Sequence, residues 1–83
     1  MQSKKKKKDI LTKFGNNLKA IRRSKKLSYR KLATLCEVDH SDIKKYEDGK
    51  LDLRLVTIVD LAAGLDVHPK ELLNIDFENK KEK

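Results

Sequence analysis

Apolar side chains in this sequence return every three or four positions, and that period dictates helices rather than strands. Ile10, Leu11, Phe14, Leu18 and Ile21 share one face of a first helix that is expected to begin near Asp9 or Ile10. Ser28 is a good N-cap for a short second helix in which Leu32, Leu35 and Cys36 turn inward. Asp39 can cap a third, carrying Ile43 and Tyr46, and Gly49 suits a left-handed stop just past Asp48. A fourth holds Leu55, Ile58, Val59, Leu61, Ala62 and Leu65. It is apolar over more than one face, as a central, surrounded helix would be. His68-Pro69 opens a fifth, with Glu71 favouring its N-terminal dipole and Leu72 and Leu73 facing the core. Nothing reads as a strand. The expected fold class is all-α: a compact domain of five helices over residues 10–77.

At 83 residues the chain makes one domain with an economical core. Its net charge is +8, but six of the lysines lie within residues 1–13 beside a single acid. Residues 14–73 hold twelve basic and nine acidic groups, and residues 74–83 balance. The run Lys4–Lys8 therefore reads as part of a basic, flexible, solvated tail over residues 1–9. Such a tail could act as a phosphate-seeking arm that adds salt-dependent affinity without sequence preference. Residues 78–83 lack apolar content and are expected to fray as a second tail. No apolar run is long enough to span a bilayer, and residues 1–8 lack the apolar stretch of a signal peptide. The single cysteine, Cys36, cannot form an internal disulfide, so a reducing, cytoplasmic setting is the simplest expectation.

Enzyme chemistry finds no foothold. There are no paired carboxylates with a plausible cleft, no Cys–His arrangement with a positioned third group, and no glycine-rich phosphate loop. His40, His68 and Cys36 make no zinc-like spacing, so neither a metal nor another cofactor is expected. Tyr29 and Tyr46 read as packing residues with wet hydroxyls, since the interleaved aromatics of RNA readers are missing. The informative unit is the pair of short helices from Ser28 to Asp48. Ala33 lets the two cross closely, while Val38 and Ile43 pin the second at a steep angle. That geometry exposes one face of the 40–48 helix for insertion into a major groove.

These residues carry a resemblance. Leu27-Ser28-x-x-x-Leu32-Ala33, then Val38, Ile43, Glu47 and Gly49-Lys50, resembles the Xre-type, lambda-repressor-like helix-turn-helix family. The likeness continues through Leu61-Ala62, Leu65, Val67, Leu72 and Leu73, covering about residues 14–73. It implies a compact five-helix domain with the helix-turn-helix at its second and third helices, acting as a dimer on partly palindromic double-stranded DNA. The positions that resemble the family's base readers are His40, Ser41, Lys44 and Lys45, with Asp42 beside them. A lysine there could donate to guanine O6 and N7, and Asp42 could accept from a cytosine amino group. Ser28, Tyr29 and Lys50 resemble its phosphate contacts, and Arg22 and Glu47 occupy the positions of a partly buried structural ion pair.

The chain also departs from the family pattern. Tyr29 stands where many relatives have Gln, and Glu37 stands where the turn commonly has Gly. A positive φ at Glu37 would cost roughly 1 kcal/mol. Leu53 and Arg54 replace the usual Pro and Ser before the fourth helix, leaving Asp52 as its expected cap. Asp39, Asp42 and Asp48 bring negative charge close to the DNA face. Taken together, the resemblance implies a sequence-specific transcriptional regulator, repressor-like or autoregulatory. The alternative from another class is a protein-interaction module, such as the antitoxin that masks a toxin. Leu51, Leu53, Ile75 and Phe77 lie in connections or past the last helix, and as leftover apolar residues they are the expected homodimer contacts.

Overall fold

The structure, a computed structural model, describes residues 4–77. Among them are five helices and no strand: α1 Lys4–Ser24, α2 Tyr29–Leu35, α3 His40–Glu47, α4 Leu55–Leu65 and α5 Pro69–Leu72. The expected order and class hold. Helix α1 starts earlier than the sequence suggests, because residues 4–9 continue it rather than forming a tail. Extending an existing helix avoids the cost of nucleation, and lysine is a good helix former. Asp9 supports the segment through Lys13 (3.5 Å) and Asp52 through Lys7 (3.6 Å). The expected tails over residues 1–3 and 78–83 lie outside the described residues.

Phe14 and Leu18 of α1, Leu32 of α2, Ile43 of α3, Leu61, Ala62 and Leu65 of α4, and Leu72 of α5 form the core. Burying a leucine or isoleucine this completely contributes about 2 kcal/mol each. Helix α1 packs against α3 and α5, α2 against α3 and α4, and α4 against α5. Asn17 Nδ2 fastens α5 to α1 by donating to the Glu71 and Leu72 carbonyls at 2.8 and 3.0 Å. A β-carbon on Gly15 would run into the main-chain carbonyls of Tyr46 and Glu47, so this glycine is what lets α1 and α3 approach so closely.

Several caps behave as expected. Ser28 Oγ accepts from the Lys31 amide at 3.0 Å, and His68 Nδ1 accepts from the Lys70 amide at 3.0 Å. Gly49 takes a left-handed φ of +73°. Others differ. Asp39 occupies the N-cap position of α3, yet its carboxylate makes no capping bond. Arg54, not Asp52, is the N-cap residue of α4; Asp52 lies two positions too early and accepts instead from the Leu53 amide at 2.9 Å. Glu37 is not among the residues with positive φ, so the turn takes glutamate without the strain that such a φ would bring. Helix α4 ends on Asp66 in the left-handed region (φ 59°), which a short polar side chain tolerates.

Helix α4 is not surrounded. Its C-terminal half is buried between α2 and α5, while Leu55, Val56 and Val59 face outward with exposures of 71%, 74% and 47%. A helix with neighbours on one side only leaves the rest of an all-round apolar sequence uncovered. Leu35 and Leu73, expected inside, are also exposed. Each is the last or next residue of a very short helix, past the shelter of its packing partners.

Candidate nucleic-acid interface

The inner residues of α3 fix the direction of its outer face. Ile43 and Glu47, one turn apart, are buried, so residues on the opposite side must face solvent. Glu47 receives two hydrogen bonds from Arg22 of α1: Nε to Oε2 at 2.6 Å and Nη2 to Oε1 at 3.0 Å. The third guanidinium nitrogen, Nη1, donates to the Leu27 carbonyl at 2.7 Å, tying the α1–α2 connection into the same cluster. The Glu47 carboxylate raises the guanidinium's proton affinity further, partly offset by burial. Arg22 and Glu47 are thus brought together as the sequence pattern implied.

The turn between α2 and α3 is held from α4. Asp60 Oδ2 accepts the Glu37 amide at 2.8 Å. Cys36, half-buried beside this turn, has its Sγ 3.3 Å from the Leu32 carbonyl as donor, and burial pushes its thiol pKa up. Sequence reasoning missed Asp60, because nothing local ties residue 60 to residue 37. It also left the α1–α3 approach at Gly15 unread.

On the outer face, Ser41, Lys44, Lys45, Asp48, Lys50 and Leu51 line one shallow, open depression. Three of the five candidate base readers, Ser41, Lys44 and Lys45, therefore share a surface with the candidate phosphate residue Lys50. His40 is exposed at the start of α3. Asp42 is half-buried and sits one turn before Tyr46, which packs on the core, so it lies on the flank of α3 and not at the centre of its outer face. Asp48 stands one turn after Lys44, with its Oδ2 3.3 Å from Lys44 Nζ. Its spacing of four from Lys44 was the signal that it belongs to this face.

Of the remaining candidates, Tyr29 lies beside that surface through Lys44. Ser28 is exposed, its oxygen engaged in the α2 cap. Tyr29 is half-buried, with Arg22 4.2 Å and Lys44 5.9 Å from its ring centroid. Of the expected dimer residues, Leu53 and Ile75 pack against the core, Leu51 is half-buried, and Phe77 is 48% exposed. Among the described residues no helix is long and apolar enough to cross a membrane.

Residues 13–74 match the helix-turn-helix domain family. The control protein C.MunI of a Mycoplasma species is 34% identical over 73 residues, covering 87% of this chain and 97% of that protein. The crystal structure of the restriction-modification controller protein C.AhdI from Aeromonas hydrophila matches with a TM-score of 0.73 and 42% identity, over 75% of this chain and 94% of that one. The chain belongs to the helix-turn-helix family, in the Xre-type, lambda-repressor-like form that its own motif resembles.

Proposed function

We propose that this protein is a sequence-specific DNA-binding transcription regulator that controls genes of a restriction-modification system. The observation that carries the DNA reading is the shared outer face of α3, where Ser41, Lys44, Lys45 and Lys50 border one open surface. The helix beneath is locked by Ile43 and by the Arg22–Glu47 pair. A rigid helix that presents lysines and a hydroxyl outward suits the major groove, where base edges offer acceptors. Lys45, Lys44 and Ser41 take the base edges in this reading, with His40 and Asp42 at the margins, while Ser28, Tyr29 and Lys50 take phosphates. The restriction-modification setting rests on the controller proteins it is similar to.

The protein acts as a homodimer in this reading. Leu55, Val56 and Val59 form an outward apolar strip on α4, and Leu73 and Phe77 add exposed apolar surface after α5. With Leu53 and Ile75 committed to the core, α4 is the better centre for the contact, joined to Leu51 and Phe77 at its margins. Pairing through α4 would let two α3 helices read half-sites about 34 Å apart, one turn of duplex.

Selection of bound sequences from a random duplex library tests this directly. Enrichment of a repeated half-site with that spacing is expected. A selected pool no different from the starting library would overturn the DNA reading.

A further inference from the structure

Helix α3 ends on an acid that its own stability does not call for. Asp48 is the C-cap residue of α3, where a negative charge opposes the helix dipole. The hydrogen bond it contributes to the helix end comes from its backbone N–H, to the Lys44 carbonyl at 3.0 Å, and does not need a carboxylate. Its ion pair with Lys44, 3.3 Å long, runs with the base N-terminal to the acid, the less favourable order on a helix. The two side chains are 59% and 37% exposed, so water screens the pair and it stabilises the fold little.

The place of Asp48 is more telling. It lines the same open depression as Ser41, Lys45 and Lys50. Lys44 lies between the Asp48 carboxylate and the Tyr29 ring, 5.9 Å from its centroid. Asp48 is the chief reason that the proton on Lys44 is held more firmly than usual, with Tyr29 adding to it. A backbone phosphate is anionic and carries only acceptors. To bind Lys44 it must sit beside the Asp48 carboxylate, a like charge. A base edge with an amino group, such as cytosine N4 or adenine N6, instead offers the carboxylate a donor.

We propose that Asp48 is a specificity-determining residue: paired with Lys44, it penalises phosphate contacts from random duplex and is satisfied by an amino-bearing base edge in the cognate site. This deepens the proposed DNA reading and rests on it. The arrangement makes the complex depend on base identity more than on charge, since the Lys44 charge on this face is already partly countered by Asp48.

The test compares the wild type with Asp48→Asn, which keeps the shape and the backbone cap, and with Asp48→Ser as a second variant. Affinity is measured by fluorescence anisotropy for the selected duplex and a scrambled one across a salt series, with thermal melts to confirm folding. The Asp48→Asn protein should bind scrambled duplex roughly tenfold tighter, with a salt slope steeper by about one phosphate contact. Its preference for the selected site should fall by a similar or larger factor. In a Lys44→Met background the same substitution should no longer tighten scrambled binding, which separates action through Lys44 from a general change of charge. Folded variants with unchanged scrambled affinity and salt slope would overturn the role of Asp48 alone. A wild type that binds no duplex would overturn it together with the DNA reading.

Discussion

Arg22 and Glu47 join the first helix to the end of α3 through a two-point ion pair, 2.6 and 3.0 Å long, with only 6% and 4% of the residues exposed. Removing one partner leaves the other charge desolvated and unanswered. Arg22→Ala or Glu47→Ala should therefore lower unfolding stability by about 3–5 kcal/mol. Replacing both, as Arg22→Met with Glu47→Leu, should cost less, because no buried charge remains. Urea denaturation of the three variants checks the order, and a loss under about 1 kcal/mol for both single variants would contradict the buried geometry.

Gly15 makes a prediction of opposite sign to helix propensity. Alanine is the better helix former by about 1 kcal/mol, so Gly15→Ala would stabilise an isolated α1. In the folded protein the added methyl meets two main-chain carbonyls of α3, which cannot move aside as a flexible side chain would. A net destabilisation of roughly 1–3 kcal/mol is expected. A raised melting temperature would show that the helices lie further apart.

Lys45→Ala and Lys44→Ala should weaken binding to the selected duplex without changing the melting temperature by more than a few degrees, since both side chains are exposed. A base-reading lysine should relax preference at one position, at a cost of about 1–3 kcal/mol, whereas a phosphate contact weakens all duplexes alike. Unchanged binding profiles for both variants would remove α3 as the reading helix.

Deletion of residues 1–8 should lower affinity for every duplex by a similar factor and flatten the salt slope, with the preferred sequence intact. Because α1 begins at Lys4, the deletion should also reduce helical circular dichroism, which loss of an unstructured tail would not do. A shift in the consensus would mean that this segment reads a groove.

The α4 surface should separate assembly from folding. Val56→Asp and Val59→Lys place charges on side chains that are 74% and 47% exposed, so each should shift sedimentation toward the monomer and weaken DNA binding while the fold survives. Ile75→Asp, aimed at a residue packed on the core, should unfold the domain instead. A wild-type complex holding one subunit per specific site would rule the dimer out.

The sequence by itself determined the helices from Ser28 to Leu72, the core positions Leu32, Ile43, Leu61 and Leu72, and the caps at Ser28, Gly49 and His68. Each of these depends on neighbours within one or two turns, where period and capping chemistry are read directly. The pairing of Arg22 with Glu47 and the candidate readers of α3 came from the family likeness, which records contacts that no local pattern contains. Only the tertiary structure decided which apolar residues stay outside. Leu55, Val56 and Val59 have the same periodic character as Leu61 and Leu65, yet no helix covers them, whereas Leu53 and Ile75 look like leftovers and rest on the core. Whether an apolar side chain is buried depends on what the rest of the chain places above it. The Asp60–Glu37 bond and the Gly15 crossing likewise exist only once the helices are set against one another. A hydrogen bond across 23 residues leaves no periodic trace in the sequence that forms it.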